Sequence, residues 1–592
     1  MSLLTGKRAV LLFYLFMIPF LLLLFRLCFI QVEKGDCYTA KAIRSETQTV
    51  PLEDFPRGDI LDRNMVSLNE PVVSNRLVIF PLLIEDPDLL SKELAAILKV
   101  NRSSLLPALS KNPRVLPYQI SSSTARAVRQ MNSPGVLVLP VTRRYGTEPL
   151  AVQVVGHLGK IQTKEEIGLK NKDGFRIDDW VGRTGLELIY NSELMASAAG
   201  GYARIYTDAR SKFLKGLGIE VDYKHVDGGR VNLVTTIDSN IQRVVEKIMN
   251  EHIKNGAVVV MDVKTGDLLA MGSRPKYNPE PLKIEEYLNG NPEAFLDQCT
   301  MLFPPGSLFK IVTACAALQD GCVAEDDYFY CRGTEEKPIP CWNKFGHGRI
   351  SFRDAFAQSC NPVFVEAAKK LGAEKLIACA RSFGLDNQKI IGYDIPYDKL
   401  QNLDLIASPY NLANSSIGQG PVLATPVQIS AMMNTIVNDG IYMQPRLVRE
   451  LRTNDGIIKS SYPVGEGSRA ISPQTALELK KLLSLVTTEG IGREAYVKKY
   501  GSAGKTGTAQ LGAEGKGAYS WFCGYAPVDQ PKYVVTVLVK EGVKDGQTAA
   551  PVFRDIMDRI LNIPFLFLSS LLLKNPTLTF NPLLPIIRKE TM

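Results

Sequence analysis

An apolar run at residues 9–25, extended past Arg26 by residues 27–30, constrains this chain more than any other feature. At 1.5 Å of rise per residue, about 20 apolar residues span the hydrocarbon core of a bilayer. Lys7 and Arg8 precede the run, and Glu33 and Asp36 come after it. A positive flank stays inside, so the N-terminus is expected inside and everything after residue 30 outside. No small-residue cleavage site follows the run, which favours an uncleaved anchor over a removed signal peptide. Arg26, near the outer end, can extend its guanidinium to the headgroups.

The chain beyond the anchor is too long for one ordinary domain; 592 residues in all point to two or three. With 45% hydrophobic and 22% charged residues, composition excludes bulk disorder. The net charge of +8 suits a solvated surface, and no Lys/Arg stripe interleaved with aromatics suggests nucleic acid. The ten cysteines form no C-x-x-C pair. Cys331 and Cys341 flank a turn-rich stretch on the expected outer side, where a disulfide and a pair of inert thiols are both open. His347, close to Cys341 and Trp342, lacks neighbours at zinc-like spacing, so no metal is expected.

Dense Pro and Gly punctuation from Val32 to about Asp238 reads as an irregular α+β region with little chemistry of its own. From Gly256 the texture changes. Two apolar runs, 257–262 and 268–272, flank the turn Lys264-Thr265-Gly266-Asp267, which predicts a hairpin. Helical patterns come next at 308–318, 352–371 and 475–486, then strands at 520–525 and 533–539 and a helix at 550–560. Strands at both ends with helices between predict a sheet closed by the two terminal segments, with a helical layer on it. The tail holds only about nine apolar residues at 565–573, too few to span a membrane.

The chemistry begins at Pro304-Pro305-Gly306-Ser307-Leu308-Phe309-Lys310. Two prolines and a glycine break the chain before helix formers resume, placing Ser307 in a first turn at the positive end of the helix dipole. Three residues on, Lys310 shares its face. Burial lowers a lysine's pKa, and a neutral amine can then activate a serine without histidine. An isolated S-x-x-K arises by chance in a chain of this length, but two further pieces accompany it. Ser359-Cys360-Asn361 offers a hydroxyl to relay a proton and an amide to hold Lys310 and a substrate carbonyl. Lys505-Thr506-Gly507-Thr508 offers a cation and a hydroxyl for a carboxylate, with a glycine that lets an extended peptide pair alongside. The four histidines, His157, His225, His252 and His347, form no arguable Ser-His-Asp set.

In this order, about 50 and about 145 residues apart, the three pieces match the S-x-x-K, S-x-N and K-T-G set of penicillin-binding proteins and class A β-lactamases. The chain resembles a class B, high-molecular-mass penicillin-binding protein, a peptidoglycan D,D-transpeptidase, almost from end to end. Pro56-Arg57-Gly58-Asp59-Ile60-Leu61-Asp62-Arg63-Asn64 is similar to the signature of that family's N-terminal pedestal, or dimerisation domain. Gly185-Leu186-Glu187, Thr236-Ile237-Asp238 with Gln242, Ser416-Ile417-Gly418-Gln419-Gly420, and Trp521-Phe522-Cys523-Gly524-Tyr525-Ala526-Pro527 resemble further family blocks. The resemblance implies an α+β architecture: a cytoplasmic tail (1–8), a transmembrane anchor (9–30), a pedestal (31–240), a penicillin-binding, β-lactamase-like transpeptidase domain (241–561) and a tail (562–592).

The resemblance also implies roles. Ser307 would be acylated by the D-Ala-D-Ala end of a stem peptide, with Lys310 the base and Ser359 and Asn361 the proton relay and substrate holder. Lys505 and Thr506 would grip the terminal carboxylate, Gly507 would leave the strand edge open, and the N–H groups of Ser307 and Thr508 would form the oxyanion hole. β-Lactams would trap the same serine. No cofactor is implied, and a polytopic glycosyltransferase is the implied partner. A β-lactamase would lack the anchor and a pedestal of this length. A sensor receptor would have several spans, and a bifunctional enzyme would carry a glycosyltransferase domain where the pedestal stands. A non-catalytic scaffold is opposed by the intact Ser307, Lys310 and Lys505.

Overall fold

The computed structural model describes residues 2–33, 47–110, 112–161, 180–195, 201–208, 212–223, 227–394, 402–510, 517–540 and 549–563. The apolar tail at 565–573 lies outside them. One helix, Ser2–Cys28, continues into a π-helical turn at Phe29–Glu33. Its Phe13–Gln31 segment, with mean hydropathy 2.4 and no part buried against protein, is long and apolar enough to cross a membrane.

In the next region, strands Val72–Ile79 and Val136–Arg143 pair antiparallel. Helices Pro87–Leu98, Arg102–Ser110 and Ser122–Gln130 close a small core over them through Leu90, Leu94, Leu105, Leu109 and Val128. Asp86 and Ser121 cap two of these helices by accepting backbone N–H groups that have no partner within the helix. Beneath this core lies a polar knot. The fully buried Glu187 accepts from Arg57 at 3.1 Å, Arg144 at 2.7 Å and Tyr145 at 3.3 Å. That knot gives Arg57 of the PRGDILDRN stretch a physical reason. Asp62 has another: it accepts the N–H groups of Asn64 and Val66 and, across the junction, that of Ser239.

The junction is one sheet drawn from distant stretches. Ile60–Leu61 pairs parallel with Val231–Thr235, which pairs antiparallel with Val448–Thr453, and Ile458–Ser461 completes the order. The first and last thirds of the chain are thereby hydrogen-bonded together.

The larger body is a five-stranded antiparallel sheet in the order Leu268–Arg274, Gly256–Asp262, Tyr533–Val539, Ala518–Ala526, Ala503–Gln510. As the sequence leads one to expect, early and late strands meet in it. Side chains alternate along each strand. Val258 and Val260 face helices Ser239–His252 and Ala549–Leu561, whereas Ala257, Val259 and Met261 face a larger helical layer that includes Lys310–Asp320 and Pro426–Val437. Both faces are covered, which explains why these strands read as continuous apolar runs.

One expected helix is broken. The 352–371 pattern folds as Phe352–Ala357 and Asn361–Leu371, with Ser359 between them in the left-handed region at φ 53°. The cause is Pro362, which lacks an N–H and fits only in the first turn of a helix.

Candidate active site

Ser307 lies in a 3-10 turn, Gly306–Phe309, that runs directly into the helix Lys310–Asp320. Two glycines make the turn possible. Gly306, at φ 56°, donates its N–H to Gly418 O at 3.0 Å, and a Cβ on it would fall 2.5 Å from Thr508 O. Gly418, at φ 75°, has room for no side chain, since a Cβ there would fall 1.9 Å from Gly306 O. Trp521 Nε1 donates to Pro304 O at 3.1 Å, and Thr313 Oγ1 to Ser416 O at 2.9 Å. The serine turn is thus clamped by the 416–420 stretch and by the strand next to the sheet edge. Motif spacing did not show these supports, although both stretches stand out as glycine- and aromatic-rich blocks.

The broken helix brings the second motif to Lys310. Its Nζ donates to Ser359 O at 2.8 Å, Ser359 Oγ at 3.1 Å and Asn361 Oδ1 at 2.7 Å. Ser307 Oγ, half-buried, makes no hydrogen bond among the described residues. Lys310 is wholly buried, and loss of water pushes its pKa down to about 7, against the opposing pull of Cys360 and Cys341. As an ammonium, Nζ donates three times. With one proton gone it still donates to the two carbonyl-type oxygens, and a lone pair is left for a hydroxyl proton.

The third motif is itself a strand, Ala503–Gln510, at the edge of the sheet beside the serine turn. Lys505 is buried and Thr508 exposed. Burial first, and then the neighbouring charge of Lys310, holds the Lys505 ammonium well below the usual lysine range. Gly507 meets a packing constraint as well. A Cβ there would sit 2.8 Å from Pro305 O and 3.1 Å from Leu308 Cγ, so the missing side chain admits the serine turn.

Every motif residue named from sequence therefore converges on one site, and the arrangement provides a nucleophile, a desolvated amine and an open strand edge. Cys331 and Cys341 behave otherwise than a disulfide would: both are free, buried thiols. His347 has the companions that sequence spacing concealed, namely Cys331, Cys341 and Cys360. Of the other histidines, His157 packs on Tyr277 and Phe295 and lies 3.0 Å from Thr184 Oγ1, while the exposed His252 faces Glu251.

Comparison with known proteins gives a consistent picture. The penicillin binding protein transpeptidase domain matches residues 256–558, and the penicillin-binding protein dimerisation domain matches residues 53–233. Stage V sporulation protein D of Bacillus subtilis is 30% identical over 93% of this chain and 85% of its own length. The peptidoglycan D,D-transpeptidase MrdA of Salmonella typhimurium is 25% identical, covering 94% of this chain and 96% of its own. Among solved structures, PBPA from Mycobacterium tuberculosis superimposes with a TM-score of 0.51 at 29% identity, over 56% of this chain and 83% of that one. A chain from a peptidoglycan synthase complex shares the fold over 94% of this chain and 99% of that one, with a TM-score of 0.68 at 23% identity.

Proposed function

This chain belongs to the class B penicillin-binding proteins, a family of peptidoglycan D,D-transpeptidases, and from that premise we propose that Ser307 is its acylated residue. The observation that carries the proposal is the buried Lys310 Nζ, held by Ser359 and Asn361 within one helical turn of Ser307. Ser307 Oγ attacks the carbonyl of the penultimate D-Ala of a stem peptide while neutral Lys310 accepts its proton. The carbonyl oxygen becomes an oxyanion, held by the N–H groups of Ser307 and Thr508; losing one such donor raises the barrier by about 3–4 kcal/mol. Collapse breaks the peptide bond, and Ser359 passes the proton to the departing D-Ala amine. The amine of a second stem then attacks the ester, forming the cross-link and returning Ser307 to its hydroxyl form. β-Lactams stop at the ester.

Lys505 and Thr506 receive the terminal carboxylate, and Asn361 holds the acyl amide. A carboxylate next to Lys505 supplies the charge that its buried ammonium lacks, so substrate binding and protonation of Lys505 support each other. We read residues 1–8 as a cytoplasmic tail, 9–30 as the anchor, 31–240 as the pedestal and 241–561 as the transpeptidase domain, with 562–592 a tail. The catalytic body then lies outside the cytoplasm, where stem peptides are. A polytopic glycosyltransferase is the partner expected at the anchor and pedestal; the similarity of fold to a chain of a peptidoglycan synthase complex supports that reading.

Fluorescent penicillin tests the assignment. The full-length protein should carry one label, resistant to denaturation and blocked by unlabelled penicillin, and Ser307→Ala should carry none. Equal labelling of Ser307→Ala would exclude the assignment, and an unlabelled wild type would favour the scaffold reading.

A further inference from the structure

Exposed aromatic side chains are unevenly spread over this protein. Outside the membrane-spanning helix seven are largely exposed among the described residues, and four of them, Tyr328, Tyr330, Trp342 and Phe345, belong to one hairpin beside the active site. Its strands, Tyr328–Cys331 and Gly348–Ser351, pair antiparallel with Tyr330 opposite Arg349. Alternation along the first strand divides its residues between two faces. Phe329 and Cys331 are buried, whereas Tyr328 and Tyr330 stand on the outer face, 59% and 62% exposed. Phe345, in the connecting loop, is 96% exposed. Solvated rings grouped in this way mark a surface that binds something.

Two cations complete the outer face. The Arg349 guanidinium stands 4.0 Å over the Tyr328 ring, and that of Arg332 lies 6.0 Å from the Tyr330 ring. Neither guanidinium has a carboxylate partner among the described residues, so both keep donors for a ligand. The inner face fixes where this surface stands. Cys331 Sγ lies within 4.8 Å of the Sγ of Cys360, the residue between Ser359 and Asn361. Trp342 Nε1 donates to Gln358 O at 2.9 Å. The hairpin is therefore packed against the turn that holds Lys310, with its aromatic face turned outward.

We propose that Tyr328, Tyr330 and Arg349 bind the glycan strand whose stem peptide occupies the cleft. The inference rests on the D,D-transpeptidase reading and adds a second point of contact with the polymeric substrate. At about 3.3–3.6 Å per extended residue, a stem of about five residues keeps its sugar chain within about 20 Å of Ser307. The sugar chain has to lie on a surface next to the site, and this hairpin offers one. Pyranose rings carry flat C–H faces that lie against tyrosine rings, and their hydroxyl and carbonyl oxygens accept from a guanidinium. Carboxylates of the stem are drawn to the same unpaired cations. Tyrosine and arginine also serve interfaces between proteins; the position beside the stem-binding cleft favours the polymer.

Stem-free glycan strands, prepared by amidase treatment of peptidoglycan, are the probe, because they cannot be acylation substrates. The full-length protein in detergent should bind them by equilibrium sedimentation, and Ser307→Ala should bind them equally. A double variant, Tyr330→Ala with Arg349→Ala, should bind about tenfold more weakly, whereas Tyr330→Phe, which keeps the ring, should bind nearly as the wild type does. Fluorescent penicillin carries no sugar, so it should label the double variant at the wild-type rate while KM for cross-linking of polymeric strands rises. Wild-type protein that binds no stem-free glycan, or a double variant that binds it equally well, would overturn the proposal. Slowed penicillin labelling of the double variant would overturn it too, by showing that the face only supports the turn behind it. Loss of a copurifying protein with glycan binding unchanged would give the surface to a protein partner instead. An unlabelled wild type would overturn the transpeptidase reading itself, an outcome separate from glycan binding.

Discussion

Solvent is what separates Lys310 from an ordinary lysine. Without water around it the ammonium is costly, and burial brings its pKa down to about 7. The sign of the pH effect is then fixed. In the proposed role only the unprotonated Lys310 amine can accept the Ser307 proton, so acylation should be half-maximal near pH 7 and fall about tenfold per unit below it. Stopped-flow acylation by a chromogenic cephalosporin should therefore be about a hundredfold slower at pH 5 than on its neutral plateau. A rate that stays flat from pH 8 to pH 5 would exclude Lys310 as the base. Lys310→Arg is the sharper test, since a guanidinium keeps the charge but does not deprotonate in proteins. Its acylation rate should drop by about 10²–10⁴-fold, and circular dichroism would check that the helix layer remains folded. Lys505 behaves differently even though burial lowers its pKa too. Its proposed work is to meet a carboxylate, so Lys505→Ala should weaken substrates bearing a terminal carboxylate more than esters of the same compounds, measured as kcat/KM.

Between elements, glycines set the contacts that the motifs alone leave unexplained. Gly507 lies in the edge strand where the serine turn presses closest, and a methyl group there would meet Pro305 O at 2.8 Å and Leu308. Overpacking of this kind costs about 1–3 kcal/mol, and here it would displace the turn bearing Ser307. Gly507→Ala should cut fluorescent-penicillin labelling at least tenfold while the thermal midpoint moves by only a few degrees. Unchanged labelling would show that the turn tolerates displacement. The same elements show how far the sequence could be read. The hairpin, the late strands and the terminal helix come from alternation and apolar runs, which are local. Ser307, Lys310, Ser359, Asn361 and Lys505 were recognisable as three pieces, and the fold brings the pieces together. The break at 358–360 was signalled by Pro362, but the apolar period on both sides masked it. The grouping of Cys331, Cys341 and His347 with Cys360 was not legible at all, because a loop closure sets it and not a spacing. Gly507 stood out in its motif, but the close approach of the serine turn to it is a tertiary fact that no local pattern carries.

On the scale of the whole molecule, the pedestal and the catalytic body meet in one sheet that joins Ile60–Leu61, Val231–Thr235 and Val448–Thr453. Close to that junction the Glu187 carboxylate, with no exposure, is shared by the nearly buried guanidinium groups of Arg57 and Arg144. A buried pair of charges adds little net stability, but removing one partner is expensive, because the charges left behind have neither water nor a counter-ion. Glu187→Gln leaves two guanidinium groups in that position. The cost should be about 3–5 kcal/mol. For a unit the size of the matched dimerisation domain, residues 53–233, that corresponds to a fall of roughly 10 °C in its melting transition. The five-stranded sheet has separate cores on both faces and no part in this knot, so its transition should move less. Calorimetry of the full-length protein in detergent should then resolve an early pedestal transition in the variant, with penicillin labelling at 25 °C retained. If both transitions fall together and labelling is lost, the junction sheet couples pedestal and catalytic body into one cooperative unit, and the pedestal supports the active site directly.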